Sequence, residues 1–284
     1  MATREHVGVL LRSWRQRRRR TQLELALDAE ISQRHLSFVE SGRASPSREM
    51  LLRLADRLDV PLRDRNALLL AAGFAPVYAE RPIEDAAMAS ARRIIDAILR
   101  AHGSNPALAV DRHWHMVMAN DAVSPLLAGV SDPSLLQAPI NVLRLTLHPG
   151  GLAPHIANLP EWRSHILERL RRQVEVSTDP ALTALLSELA GGGSDSGIPN
   201  ATPKDRFSLR AQEPTEAPVV VADHAVAVPL KLNTRAGLLS LISTTTVFGT
   251  ATEIILSELV IESLYPADEV SAERLVKLQG VQSR

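Results

Sequence analysis

His113 and His115 flank Trp114 at a spacing that puts two imidazoles on one side of a strand, an arrangement a metal ion can use. No third ligand of clear pattern stands beside them, so no metal and no cofactor is expected. Other chemistry is announced no better. His148, His155 and His165 are scattered among helical stretches, and serine, histidine and aspartate drawn freely from a chain of 284 residues give a hydrolase triad no geometric warrant. Gly191 to Gly197 lacks the Lys-Ser/Thr ending and the preceding strand of a phosphate loop, and its composition is that of a flexible connection. There is no cysteine, which removes disulfides and thiolate chemistry and agrees with a reducing cytosol. An enzyme is therefore not expected.

Charge is more informative. The net charge is zero, but residues 1–81 hold 15 arginines, no lysine and 10 acidic groups, a surplus of five, and residues 82–284 carry the opposite excess. The densest point, Arg17 to Arg20, reads either as a solvated basic helix end or as a source of nonspecific attraction to a polyanion. No uncharged apolar run reaches the roughly 18 to 20 residues that span a bilayer, and the N-terminus leads into an amphipathic pattern rather than a signal peptide. A cytoplasmic protein is expected. With a hydrophobic fraction of 45% and a charged fraction of 23%, the chain reads as globular, and its length suggests two domains.

The elements that must position any site follow from periodicity. Val7, Leu10, Leu11 and Trp14 recur at i, i+3, i+4, i+7 and define a first helix. Thr21 with Glu24 forms a capping box for a short second helix, whose inner face is assigned to Leu23, Ala26 and Leu27. Ala29 to Ile31 turn the chain, and Ser32 caps a third helix with Leu36 and Val39 inward. Gln33, Arg34 and Ser37, with His35 and Phe38 partly beside them, then point outward. A fourth helix begins near Ser45-Pro46-Ser47 and buries Leu51, Leu54, Ala55 and Leu58, and a fifth runs from Arg63 to Ala72.

After a linker at Pro76 to Pro82, a helix is expected from Glu84 to Ala101 with Ile94, Ile95, Ile98 and Leu99 on its apolar side. The period then changes. Ala107–Asp111 and Met116–Asn120 suggest a hairpin, Asp121–Ala128 a short helix, His155–Val176 and Pro180–Ala190 longer ones. Arg206–Arg210, His224–Leu232, Leu238–Thr246 and Glu258–Leu264 read as strands, and Ser271–Leu278 as a last helix. The expectation is a multidomain chain: an all-α, five-helix domain over residues 1–75, a linker and connecting helix over 76–103, and an α+β domain with a mixed antiparallel sheet over 104–284.

The five-helix plan, with Thr21-Gln22 opening the second helix and Ser37-Phe38-Val39-Glu40-Ser41-Gly42-Arg43 closing the third, resembles the lambda-repressor-like or XRE family of helix-turn-helix DNA-binding domains. The resemblance implies that the third helix lies in the major groove, with Gln33, Arg34, His35 and Phe38 at reading positions on a face shared with Ser32 and Ser37. A glutamine can bond an adenine edge and an arginine a guanine edge, each pair contributing about 1–3 kcal/mol of discrimination. Phe38 has two readings, contact with a thymine methyl or packing against the second helix. Gln22 and Arg43 are expected to hold phosphates. The family pattern also pairs Glu40 with an arginine of the first helix, here Arg15, as a structural ion pair.

Further motifs resemble the MmyB-like branch of these regulators, whose C-terminal domain is PAS-like and ligand-binding: Leu68 to Pro76, Val110-Asp111-Arg112-His113-Trp114 with Ala119-Asn120, Leu143 to Pro149, Phe248-Gly249-Thr250 and Tyr265-Pro266-Ala267-Asp268. Such a domain would enclose an apolar cavity, for which Trp114, Met116, Met118, Trp162, Leu241 and Phe248 are available, although each serves equally as core. An apolar small molecule such as a fatty-acyl chain would suit it. The implied protein is a homodimeric regulator of operator DNA modulated by such a ligand; in the alternative, the C-terminal domain only dimerises or docks a protein.

Overall fold

The first four helices of the N-terminal region each begin at a residue whose side chain accepts from a free N–H group. In the computed structural model, which describes residues 6–177, 179–191, 227–249 and 251–280, α1 (Val7–Arg17) starts at His6, whose Nδ1 accepts from the Gly8 N–H at 3.1 Å. α2 (Gln22–Asp28) starts at the Thr21–Glu24 capping box, α3 (Gln33–Glu40) at Ser32 and α4 (Arg48–Arg57) at Ser47; α5 (Leu62–Ala71) follows Pro61. Leu11, Leu25, Leu36, Leu51, Leu54, Leu58, Leu68 and Leu69 meet in one core that excludes water almost entirely. Each such side chain stabilises the domain by about 1.5–3 kcal/mol relative to an exposed position.

The inner face of α2 is Leu25 and Ala26, continued by Ala29, while Leu23 and Leu27 are exposed. The expected face was thus misplaced by part of a turn. Glu24 is committed to the Thr21 cap, and packing against the neighbouring helices turns inward the stripe of Gln22, Leu25, Ala26 and Ala29, at i, i+3, i+4, i+7.

The chain divides into two compact units, Met1–Asp121 with Thr245–Ser263, and Ala122–Thr244 with Leu264–Arg284. Besides the five helices, the first unit holds α6 (Ala89–Ala101), preceded by a single 3₁₀ turn at Ala86–Met88, and the hairpin of β1 (Ala107–Val110) and β2 (Met116–Ala119). Ile95 and Leu99 are the buried residues of α6; Ile94, expected on the apolar side, is exposed. Asn120 closes the hairpin: its Oδ1 accepts from the Ala107 N–H at 3.0 Å, and its Nδ2 donates to the carbonyls of Leu99 and Asn105.

The described strands form a five-stranded sheet in the order β2-β1-β5-β4-β3, with β3 spanning Leu230–Thr234, β4 Gly237–Val247 and β5 Val260–Pro266. β1 pairs antiparallel with both β2 and β5, Ala109 opposite Met118 and Ile261, and β3 pairs antiparallel with β4. β5 starts two residues later than expected because Ile254–Glu258 forms a short helix, α10. Arg206–Arg210, the first residues of the expected strand at His224–Leu232, Thr250, and the Gly191–Gly197 loop beyond Gly191 lie outside the described residues.

The second unit contains α7 (Val142–Leu147), α8 (Leu159–Ser177), α9 (Pro180–Gly191) and α11 (Glu269–Gly280). α7 was not anticipated; Asn141 caps it by accepting from the Arg144 N–H. The short helix expected at Asp121–Ala128 is a 3₁₀ segment, Ser124–Gly129. Asn158 anchors the start of α8 to β3, its Oδ1 accepting from the Lys231 N–H and its Nδ2 donating to the Pro229 carbonyl.

Candidate nucleic-acid interface

The local chemistry of Thr21 to Arg43 produces two helices joined by a tight turn. Thr21 Oγ1 accepts from the Glu24 N–H at 3.2 Å, while Glu24 Oε2 accepts from the Thr21 N–H at 2.7 Å and the Thr21 hydroxyl at 2.9 Å, and these last two bonds lower the Glu24 pKa. Glu30, at φ 56°, makes the left-handed corner after α2, and the Ile31 N–H donates back to Ala26. Ser32 Oγ then accepts from the His35 N–H at 3.1 Å. Gly42, at φ 74°, ends α3, and the Arg43 N–H donates to the Phe38 carbonyl at 2.8 Å.

Leu36 and Val39 are buried, which leaves Gln33 and Arg34 exposed and His35, Ser37 and Phe38 half-exposed on the other side of α3. Phe38 lies beneath two guanidinium groups, Arg34 at 5.4 Å and Arg43 at 6.0 Å from the ring centroid. Such stacking holds both cations on the outward surface. Arg34 and Phe38 belong to α3, whereas Arg43 arrives from beyond its end, so the turn at Gly42 is what brings the three together.

Glu40 turns the opposite way. Its carboxylate is almost fully buried and accepts from Arg15 Nε at 2.6 Å, Arg15 Nη2 at 2.8 Å and Gln22 Nε2 at 2.8 Å. The bond to Glu40 raises the Arg15 pKa against the opposing effect of burial. Arg15 also donates to the Arg20 carbonyl at 2.8 Å, so one guanidinium ties α1, the segment after it and the end of α3. The Gln22 amide, expected to face phosphate, donates inward here; sequence reasoning missed that it joins the Arg15–Glu40 pair.

The arginine run also has inward duties. Arg18 donates to the carbonyls of Leu58 and Asp59, each at 2.8 Å, and Arg20 to that of Arg57 at 3.3 Å and to Asp28. These are carbonyls at the C-terminal end of α4, where the helix dipole favours a cation. Arg17 and Arg19 are exposed.

The six residues considered for a ligand cavity are divided. Trp114, Met116, Met118 and Phe248 belong to the first unit, where Met118 and Phe248 pack on the core of Ile83, Ile95, Leu99 and Ile261. Trp162 and Leu241 belong to the second and are buried; Trp162 Nε1 has no hydrogen-bond partner among the described residues. None of the six lines the cleft of about 410 Å³ in the second unit, which Leu126, His155, Leu232, Thr234, Arg235 and Leu278 help to form.

A capped helix pair presenting a cationic, amide-bearing face is the arrangement that helix-turn-helix DNA-binding proteins use. Residues 11–64 match the family model described as Helix-turn-helix, and residues 91–197 match that of the MmyB-like transcription regulator ligand binding domain. The chain is a DNA-binding transcription regulator that carries an XRE-like helix-turn-helix and an MmyB-like ligand-binding domain. A comparison with curated protein sequences found no match. No helix among the described residues is long and apolar enough to cross a membrane.

Proposed function

We propose that this regulator acts in the cytoplasm as a homodimer on a two-fold operator, with α3 in the major groove and a small molecule in the second unit adjusting its affinity. The exposed α3 face carries the reading: Gln33, Arg34 and His35 address base edges, the half-exposed Ser37 and Phe38 complete the face, and Phe38 keeps Arg34 and Arg43 outward. Arg43, the N-terminal end of α2 at Gln22, and Ser32 hold phosphates. Dimerisation follows from the half-site logic of this motif.

The ligand we assign to the cleft is an elongated apolar molecule with an anionic head. Leu126, Leu232 and Leu278 supply apolar wall and Arg235 a cation. Arg235 already donates to the Leu278 carbonyl at 3.1 Å, which fixes its guanidinium at the rim.

Selection of binding sites from random duplexes by the full-length protein, followed by native mass spectrometry with a panel of fatty acids, tests both halves. Paired half-sites about one helical turn apart and a bound acid that shifts operator affinity are expected. Unpaired sites would overturn the dimeric reading. Failure of every acid to bind would leave the second unit as a dimerising or docking module.

A further inference from the structure

The turn between β1 and β2 brings together three groups that no part of the DNA or ligand reading uses. Asp111, His113 and His115 each offer one ligand atom, and these atoms lie within 4.8 Å of one another. The spacing i, i+2, i+4 does this because the chain reverses: Trp114 N–H donates to the Asp111 carbonyl at 3.0 Å, and the Asp111 N–H to the His115 carbonyl at 2.9 Å. Trp114 adopts φ 68° with its side chain buried, an unusual conformation for a bulky residue, and anchors the turn in the protein.

We propose that Asp111, His113 and His115 form a binding site for a divalent transition-metal ion of the zinc, cobalt or nickel class. One carboxylate and two imidazoles are a donor set these ions take, leaving a coordination position for water. The Asp111 carboxylate is already oriented for coordination. Its Oδ1 accepts from the backbone N–H groups of His113 and His115, each at 2.8 Å, which turns Oδ2 toward the imidazole of His115. Oδ2 and His115 Nδ1 are 3.1 Å apart. This is a hydrogen-bonded pair, and two atoms bound to one such ion at about 2.0–2.1 Å also lie roughly 3 Å from each other, so an ion could take the place of the shared proton with little movement of either group. The His113 ring stands 6.1 Å from that of His115, centroid to centroid, and edge-on at 71°.

The surroundings admit an ion. His115 and Asp111 are about one-third exposed, which leaves a path for entry. The nearest cation in sequence, Arg112, directs its guanidinium to Glu258, 3.7 Å away. The site stands independently of the ligand assigned to the second unit.

The test uses the full-length chain, stripped with chelator and titrated with Co(II) by visible absorption and with Zn(II) by calorimetry. One ion per chain is expected, with at least about tenfold weaker binding in both His113→Asn and His115→Asn. Far-UV circular dichroism of each variant guards against misfolding. X-ray absorption of the zinc-loaded wild type, which needs no variant, should count two imidazoles. No binding, binding unchanged in the variants, or a zinc environment without two imidazoles would each overturn the site, leaving Asp111 as a turn staple only.

Discussion

Arg34 and Arg43 share one aromatic ring, but the proposed complex has them meet DNA in different ways. Arg34 leaves the middle of a reading face, so Arg34→Ala should relax base preference at one operator position by about 1–3 kcal/mol. Arg43 lies beyond the helix, so Arg43→Ala should weaken all sequences alike and lower the salt slope by about one, measurable by binding titrations at several salt concentrations. Equal effects on specificity would show the groove assignment to be wrong. Glu40 belongs to a different problem, because it is buried with Arg15. Arg15→Ala leaves that carboxylate without its charge partner and should cost about 3–5 kcal/mol by denaturant unfolding, with the DNA face itself unaltered. His165, stacked on Trp162, has a pKa lowered by burial and by Arg169 and Arg172. The unfolded chain therefore takes up this proton at a higher pH than the folded one, and stability contributed by neutral His165 is lost as pH falls below about 6.5. Melting curves between pH 5 and 8 should flatten in His165→Gln.

At the scale of elements, the geometry of the motif depends on how closely α1 approaches α3. A Cβ added at Gly8 would come within 2.2 Å of the Val39 carbonyl oxygen and 2.8 Å of that of Glu40, both backbone atoms. Gly8→Ala should therefore push α3 outward, destabilising the domain by about 1–3 kcal/mol or more and weakening operator binding together with stability. A variant as stable as the wild type would refute this close approach. The helix starts were legible because each rests on a local side-chain cap, at Thr21, Ser32 and Ser47. Which face of α2 turned inward was not, since Leu23, Leu25 and Leu27 offer competing apolar faces and packing against the neighbouring helices chose Leu25. α10 escaped notice for a related reason: five residues give too little periodicity to separate a helix from the strand that follows.

Across the first unit, long-range ion pairs link the end of the helix-turn-helix region to residues almost two hundred positions later. Arg63 on α5 donates from Nε and Nη2 to Glu258 at 2.8 and 3.0 Å and also meets Glu80, and these carboxylates raise its pKa. The Ile254 N–H donates to the Ala79 carbonyl, and Arg81 pairs with Glu253. Glu258→Gln should lower the melting temperature of the full-length chain, by about 1–3 kcal/mol in stability, while leaving the operator sequence preference intact. Altered preference would place Glu258 in a different role. Nothing near Arg63 in sequence foretold this partner, because an ion pair at such separation is created only when α10 packs on α5. By itself the sequence determined the helix starts, the five-helix plan, the hairpin and the outward face of α3, all of which rest on residues within about a turn or two of one another. Only the tertiary structure decided which leucines of α2 are buried, that Gln22 and Arg18 bond inward, that Asp111 joins His113 and His115, and where the second unit opens a cleft. Those outcomes depend on which distant surfaces meet, and local periodicity carries no information about that.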